Sequence, residues 1–192
     1  DKYYDKQFGL RNMRVPEAWD LSKGENIVVA VIDTGVETSH TDLDAQLVPG
    51  FDAFSHREGK DAGDVSKLNY FMSSYKHGTH VAGIIAAETN NNRGIAGVAP
   101  NAKIMPIKIF PDFSDWIQSI LEPSDDADET IISVLADGIV WAVDHGADVI
   151  NMSLSVTDKS ATLERAVAHA LENNVSVIVA AGNQRHQNNA RG

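Results

Sequence analysis

The sequence predicts an α/β fold in which a parallel β-sheet lies between two layers of helices. Short runs of Val, Ile and Ala, such as residues 27–32, have the continuous apolar character of strands that are buried on both faces. These runs alternate with longer segments in which apolar residues recur every three to four positions, as they do in helices. No internal repeat or linker interrupts this alternation, so we expect residues 1–192 to belong to a single domain.

The composition excludes several classes of function. With 192 residues, of which 43% are hydrophobic, the chain is long enough to bury a sizeable core. Its 16 basic and 27 acidic residues give a net charge of −11, which disfavours binding to nucleic acid or to an anionic membrane surface. No apolar run is long enough to span a bilayer. The absence of cysteine excludes disulfides, zinc–thiolate sites and thiol nucleophiles.

In the N-terminal half, the first predicted element is a short helix at residues 15–19, which has Pro16 in its first turn. A turn at residues 23–26 leads into the strand at residues 27–32, which ends at Asp33. We expect a polar surface loop at residues 54–76. A helix then begins at His77, and the polar residues 90–94 end it.

In the C-terminal half, three further apolar runs predict buried strands, at residues 102–109, 149–154 and 175–180. Between them, apolar residues at helical spacing predict helices at residues 130–145 and 161–172. An acidic stretch with turn-forming residues, 111–129, separates the second strand from the first of these helices.

Polar residues follow two strands and begin one helix, and we expect them to meet at one edge of the sheet: Asp33, His77 and Asn183. An aspartate that orients a histidine forms part of a serine-protease relay, and a nearby amide can donate to an oxyanion. An aspartic protease would also place Asp-Thr-Gly after an apolar strand, but the predicted helices exclude that all-β class. His77 and His80 lack the spacing of a zinc-binding helix, so we expect His80 to be a buried structural residue.

Five segments resemble those of the subtilisin-like serine proteases, in the order and near the spacing found in that family. They are residues 31–36 (Val-Ile-Asp-Thr-Gly-Val), 77–83 (His-Gly-Thr-His-Val-Ala-Gly), 97–100, 149–154 and 180–183. The resemblance covers residues 7–183 and implies a three-layer parallel sheet with helices on both faces. It also implies that Asp33 orients the imidazole, that His77 acts as general base and then acid, and that Asn183 donates to the oxyanion.

The serine of the family lies in a Gly-Thr-Ser-Met-Ala motif, which residues 1–192 do not contain. The resemblance therefore implies that this chain is the N-terminal part of one catalytic domain and that its fold is incomplete. Three explanations remain open: a protease cleaved into two associated chains, a truncated chain, and a natural relative that binds peptides without cleaving them. We expect the first, in which the partner is the C-terminal fragment that carries the serine.

The resemblance also places residues of this chain along a peptide-binding groove: Ser153, Leu154, Ser155, Ala180, Ala181 and Gly182. Ser155 and Val156 stand where the family usually has two glycines, which predicts a narrowed groove and a processing protease with few substrates, such as those that remove lantibiotic leader peptides. Arg185 and His186 near the rim would favour an acidic residue at P1, the substrate position before the cleaved bond. Alternatively, both side chains point to solvent.

No cofactor is expected for this chemistry, but the resemblance implies a structural calcium ion. The matching positions carry the oxygen ligands that calcium prefers: Asp1, Asp5, Asp42, Asn90, Asn92 and the backbone of Ile95. A secreted or cell-surface location is expected, because the polar start of the chain resembles that of a processed product. The expected substrate is a peptide or pro-peptide.

Overall fold

The structure, a computed structural model, describes residues 1–65, 76–111, 127–156 and 159–182, and of residues 127–130 the backbone alone. Within these residues, six strands form one sheet: β1 (Val28–Asp33), β2 (Gly50–Asp52), β3 (Arg57–Gly59), β4 (Lys103–Lys108), β5 (Val149–Met152) and β6 (Ser176–Val179). Their order across the sheet is β3-β2-β4-β1-β5-β6. All neighbouring strands are parallel except β2 and β3, so the predicted parallel sheet is confirmed.

The described residues also form five α-helices: α1 (Phe8–Asn12), α2 (Val15–Ala18), α3 (His77–Ala86), α4 (Ala127–Asp144) and α5 (Ala161–Glu172). Ser160 is the N-cap that precedes helix α5, and its side-chain oxygen accepts a hydrogen bond from the N–H of Leu163 at 3.4 Å. Helix α3 ends at Ala86, earlier than the predicted end at residues 90–94. No helix in the described ranges is long and apolar enough to cross a bilayer.

The helices cover the two faces of the sheet, and alternate residues of each strand pack on opposite sides. On the face of helix α3, Val29 and Val31 of β1 pack with Ile104 of β4. On the other face, Ala30 and Ile32 of β1 pack with residues of α4 and α5. This alternation follows from the two-residue repeat of a strand, and it confirms the expected helices on both faces.

Strands β2 and β3 were not predicted, because each has only three residues and β3 lacks an apolar pattern. Strand β3 lies within the segment expected to be a polar loop, and its first two residues, Arg57 and Glu58, are exposed. Trp141 of α4 stacks on Phe51 of β2, with ring centroids 5.1 Å apart, and its indole N–H donates to Glu58 at 2.8 Å. These tertiary contacts hold the hairpin on the sheet despite its weak local signal.

Strand β6 is less well covered than the other parallel strands of the sheet. Its residues Ile178 and Val179 each expose about half of their surface, whereas strands of parallel sheets are usually buried on both faces. Ile84 of helix α3 is exposed to a similar extent. The described residues therefore leave apolar surface uncovered beside β6 and on α3.

Candidate active site

The site begins with Asp33, the last residue of the central strand β1. Only 3% of this residue is exposed, although it carries a carboxylate. The N–H of Thr34 donates to its Oδ1 at 2.7 Å, which fixes the orientation of the carboxylate. A carboxylate removed from water requires such partners, since an unsatisfied buried charge is strongly destabilising.

His77, the first residue of helix α3, faces this carboxylate. Its Nδ1 lies 2.9 Å from Oδ1 and 2.8 Å from Oδ2 of Asp33. The side chain of His77 is 50% exposed, so the other edge of the ring can reach a ligand. Because both carboxylate oxygens are acceptors, Nδ1 carries the proton of the neutral ring, and Nε2 is left to accept one. This arrangement suits a general base.

Backbone contacts hold the start of α3 against the end of β1. The N–H of Gly78 donates to the hydroxyl of Thr34 at 3.0 Å, and the N–H of Glu37 donates to the hydroxyl of Thr79 at 2.9 Å. A Cβ at residue 78 would lie 3.0 Å from Cβ of Asp33 and would collide with the carbonyl oxygen of Gly35. The close approach of helix and strand therefore requires glycine at this position.

The residues expected along the groove leave the sheet at the same carboxyl edge. The side-chain amide of Asn151, within β5, donates to the hydroxyl of Ser153 at 3.0 Å. Leu154 then packs against the core, and Ser155 is exposed. After β6, the N–H of Ala180 donates to the carbonyl of Met152 at 3.2 Å. Ala181 and Gly182 follow it, and all three residues after β6 are exposed. The predicted positions Asn183, Arg185 and His186 lie outside the described residues, as does most of the acidic stretch 111–129.

The positions expected to hold calcium only partly come together. Asp42 is buried, and its two oxygens accept hydrogen bonds from the side-chain amide of Asn91 at 2.7 Å and from the N–H of Ile95 at 3.1 Å. Asp1 accepts a hydrogen bond from the N–H of Asn91 at 3.1 Å. The carbonyl oxygen of Asp5 instead accepts a hydrogen bond from Arg11 at 3.1 Å.

The asparagine side chain in contact with Asp42 is Asn91. The assignment of calcium ligands to Asn90 and Asn92 stays a prediction. These two residues have positive φ angles of 66° and 61°, a conformation that asparagine tolerates in tight loops. Among the described residues, no group of three or more His, Asp or Glu side chains is arranged to hold a metal ion.

His80 was expected to be buried, but it is exposed on helix α3. It lines a cavity of about 320 Å³ together with His40, Leu43 and Ile95. The expectation failed because it assumed that the helix is covered on this side, whereas the described residues leave the same helix exposed at Ile84.

A buried charge pair lies near Asp33, and the sequence reasoning missed it. Lys108 at the end of β4 and Asp52 at the end of β2 are each only 1% exposed, and their Nζ and Oδ2 atoms are 3.1 Å apart. Burial raises the pKa of Asp52, but the charge of Lys108 and the hydrogen bonds from Ser55 and Lys108 outweigh it, so this pKa lies below its usual value. The sequence feature that could have indicated this pair is a lysine at the end of a mainly apolar strand, where a buried charge requires a partner.

Comparison with known proteins identifies the family. The model of the subtilase family of peptidases (S8) matches residues 24–192. The chain therefore belongs to the subtilase family, as the five sequence segments predicted.

Two curated relatives and one solved structure illustrate the similarity. The chain is 40% identical over 185 residues to a thermophilic serine proteinase of Bacillus sp. strain AK1, and the aligned region covers 95% of this chain and 40% of the relative. It is 39% identical over 177 residues to the major intracellular serine protease of Bacillus subtilis, and the aligned region covers 92% of this chain and 49% of the relative. A protease from Pseudoalteromonas arctica superposes with a TM-score of 0.74 at 34% identity, covering 95% of this chain and 58% of that one. The chain thus spans about half the length of these relatives.

Gly78→Ala tests the close contact between helix and strand. We expect the added methyl group to push His77 away from Asp33 and to lower the free energy of unfolding by about 2 kcal/mol, the usual effect of overpacking. Gly83→Ala on the same helix is the matched control, since its Cβ would meet only Cδ1 of Ile95 at 3.8 Å. The control should be neutral or stabilising, as alanine favours helix. Equal stabilities of the two variants in urea unfolding would contradict the interpretation.

Proposed function

We propose that this chain is the N-terminal part of the catalytic domain of a serine endopeptidase that cleaves peptide bonds. The contact between Asp33 and His77 is the observation that carries this proposal, because it presents Nε2 of His77 at the carboxyl edge of the sheet. The subtilase family match supports the same reaction class.

The reaction follows from this geometry once a serine hydroxyl is brought to Nε2 of His77. His77 removes the proton as the hydroxyl oxygen attacks the substrate carbonyl, and it later returns the proton to the leaving amine. Asp33 holds the ring in position and stabilises the imidazolium. Asn183 would donate to the oxyanion of the tetrahedral intermediate. Water then hydrolyses the acyl-enzyme, and no cofactor is needed.

We propose that the serine lies on the C-terminal part of the same protease, which stays associated with this chain as a companion fragment. Three apolar residues that the described part of the chain leaves exposed on β6 and α3 support this partner: Ile84, Ile178 and Val179. Covering such residues contributes about 25 cal/mol per Å² of apolar surface, which favours stable association. A subtilase fold that binds peptides but lacks the nucleophile is the alternative.

Labelling with a fluorophosphonate, which reacts with activated serines, distinguishes the two functions. The complete preparation should be labelled on a peptide outside residues 1–192, as determined by denaturing mass analysis. His77→Ala should slow labelling by about 10⁴-fold, the order of magnitude for losing a member of such a triad.

His145→Ala, at an exposed histidine after α4, should label at the rate of the unsubstituted protein. Absence of label in a preparation shown to contain the complete catalytic domain would favour the peptide-binding alternative. If the labelled serine lies on a segment that is covalently continuous with this chain, the protease function is supported, but the proposal of a separate companion fragment is contradicted.

We further propose a processing role with narrow specificity and a preference for an acidic residue at P1. The exposed Ser155 and Val156, which follow β5, support a narrowed groove. Arg185 and His186 would supply the positive charge near the substrate.

Peptides that differ only at P1 test this preference. Glu should be cleaved with a kcat/KM about fivefold above that of Gln, since a partly exposed ion pair contributes about 1 kcal/mol. Arg185→Ala should reduce this ratio without changing cleavage of the Gln peptide. Preferential cleavage after Arg or Lys would reject the acidic preference.

We propose that calcium stabilises the loop at residues 88–95, with Asp42 as its charged ligand. The carboxylates of the buried Asp42 and of Asp1 both accept hydrogen bonds from Asn91, which brings two hard oxygen ligands of the kind that calcium prefers into one region. Because a site with few carboxylates is expected to be weak, it would fill mainly outside the cell, which supports a secreted or cell-surface location. Family membership alone does not decide the location, since two relatives are named as intracellular.

Thermal unfolding with and without a chelator tests the calcium site. Removing calcium should lower the Tm by about 5 °C, which corresponds to about 2.7 kcal/mol when calcium is present at about 100 times its Kd. Asp42→Asn should abolish this difference, whereas Asp44→Asn, at an exposed carboxylate nearby, should retain it. An unchanged Tm on chelation at any calcium concentration would reject the site.

A further inference from the structure

Three charged residues lie in one row across the sheet. Lys108 of β4 is in register with Asp33 of β1 on one side and with Asp52 of β2 on the other. Residues in register on neighbouring parallel strands direct their side chains to the same face. Each of the three is at most 3% exposed. A buried cation therefore stands one strand away from the carboxylate that contacts His77.

This row lies on the face of the sheet that carries helix α3. Val29 and Val31 pack on that face, and Asp33 continues the same alternation along β1. The Cβ of Asp33 lies 3.0 Å from the position that a Cβ of Gly78 would take, which places the carboxylate under the first turn of α3. The row thus faces the helix that begins at His77.

The aliphatic stem of Lys108 also contacts the turn that follows Asp33. Its Cδ is 3.3 Å from the position that a Cβ of Gly35 would occupy. The N–H of Ile109, the next residue, donates to the carbonyl of Asp33 at 3.1 Å. The lysine and its neighbour therefore pack directly against the segment that positions the carboxylate.

Asp52 holds the ammonium group of Lys108 in place. Its Oδ2 lies 3.1 Å from Nζ of Lys108 and 3.1 Å from Nη2 of Arg57. Its Oδ1 accepts hydrogen bonds from the N–H groups of Phe54 and Ser55, both at 3.1 Å. An ion pair as buried as this one is rarely more stabilising than apolar residues of similar size, so stability alone explains it poorly.

We propose that Lys108 is a positioning residue for the Asp33–His77 pair, which it influences through a fixed positive charge and through contact with the turn after Asp33. The positive charge attracts the carboxylate of Asp33 and repels positive charge on the ring of His77, so we expect its removal to make that ring a stronger base.

Other charged or titratable groups near His77 also act on it. Lys76 precedes His77 in sequence, and His80 lies one turn further along α3. Glu37 is held near that helix because its backbone N–H donates to the hydroxyl of Thr79. Asp64 accepts a hydrogen bond from the N–H of Thr38 in the same region. These groups are unchanged in the variants below, so differences between variants report on the row itself.

The inference rests on the proposed function, but its test does not require turnover. The complete protease, with its histidines labelled with ¹⁵N in the ring, is titrated by NMR, and the midpoint of His77 is assigned by its loss in His77→Ala. Lys108→Met keeps a long stem and removes the charge, so the midpoint should rise by about half a pH unit. Lys108→Arg keeps the charge and should leave the midpoint unchanged even if it lowers the Tm.

The double variant Lys108→Met/Asp52→Asn protects the test against failure to fold, because it leaves neither buried charge unpaired. Its midpoint should also rise, though less, since Asp52 is one strand further from Asp33 than Lys108 is. Where the protease is active, the acidic limb of the kcat/KM profile should move with the NMR midpoint, and KM should change little.

A purely structural role for Lys108 gives the opposite pattern. Lys108→Met would then lower the Tm without moving the midpoint of His77, and Lys108→Arg would be the more disruptive change. An unchanged midpoint in either Lys108→Met or the double variant would overturn the inference. A shifted midpoint in a protein that no fluorophosphonate labels would support the inference while rejecting the proposed function.

Discussion

The contact between Asp33 and His77 depends on an unfavourable burial that the fold must compensate. The carboxylate lies at the end of the central strand, almost fully removed from water, and the N–H of Thr34 and the ring of His77 supply its hydrogen-bond partners. Helix α3 can approach closely enough to supply the imidazole because Gly78 has no side chain. The strand order, with β1 between β4 and β5, places this contact in the middle of the carboxyl edge. That position is where open α/β sheets assemble their sites.

Within the described residues, the two sides of this sheet differ in how well they are covered. Beyond β4, the short β2–β3 hairpin closes the sheet, and the stacked rings of Phe51 and Trp141 hold it. Beyond β5, strand β6 leaves Ile178 and Val179 half exposed. The segments that follow β5 and β6, which the family resemblance places along the groove, lie on this less covered side. In the proposed function, the fragment that carries the serine covers this side of the sheet.

Much of the fold could be predicted because its central strands are continuous apolar runs. Asp33 and His77 could be found because Asp33 ends one of these strands and His77 begins a helix. The hairpin β2–β3 could not, since tertiary contacts rather than local sequence stabilise it. Which of the three consecutive asparagines contacts Asp42 depends on loop geometry, which the composition does not encode; in the structure it is Asn91. The buried pair of Lys108 and Asp52 could not be predicted, because the two residues lie 56 positions apart in the sequence. They come into contact through the register of β2 and β4.

The most direct test of this account is the location of the proton on neutral His77, measured by ¹⁵N NMR of the imidazole ring in the complete protease. The account predicts a protonated Nδ1 and an unprotonated Nε2, with a downfield Nδ1–H resonance that disappears in Asp33→Asn. A neutral ring that carries its proton on Nε2 would contradict it. So would an Nδ1–H resonance that is unchanged when Asp33 loses its charge.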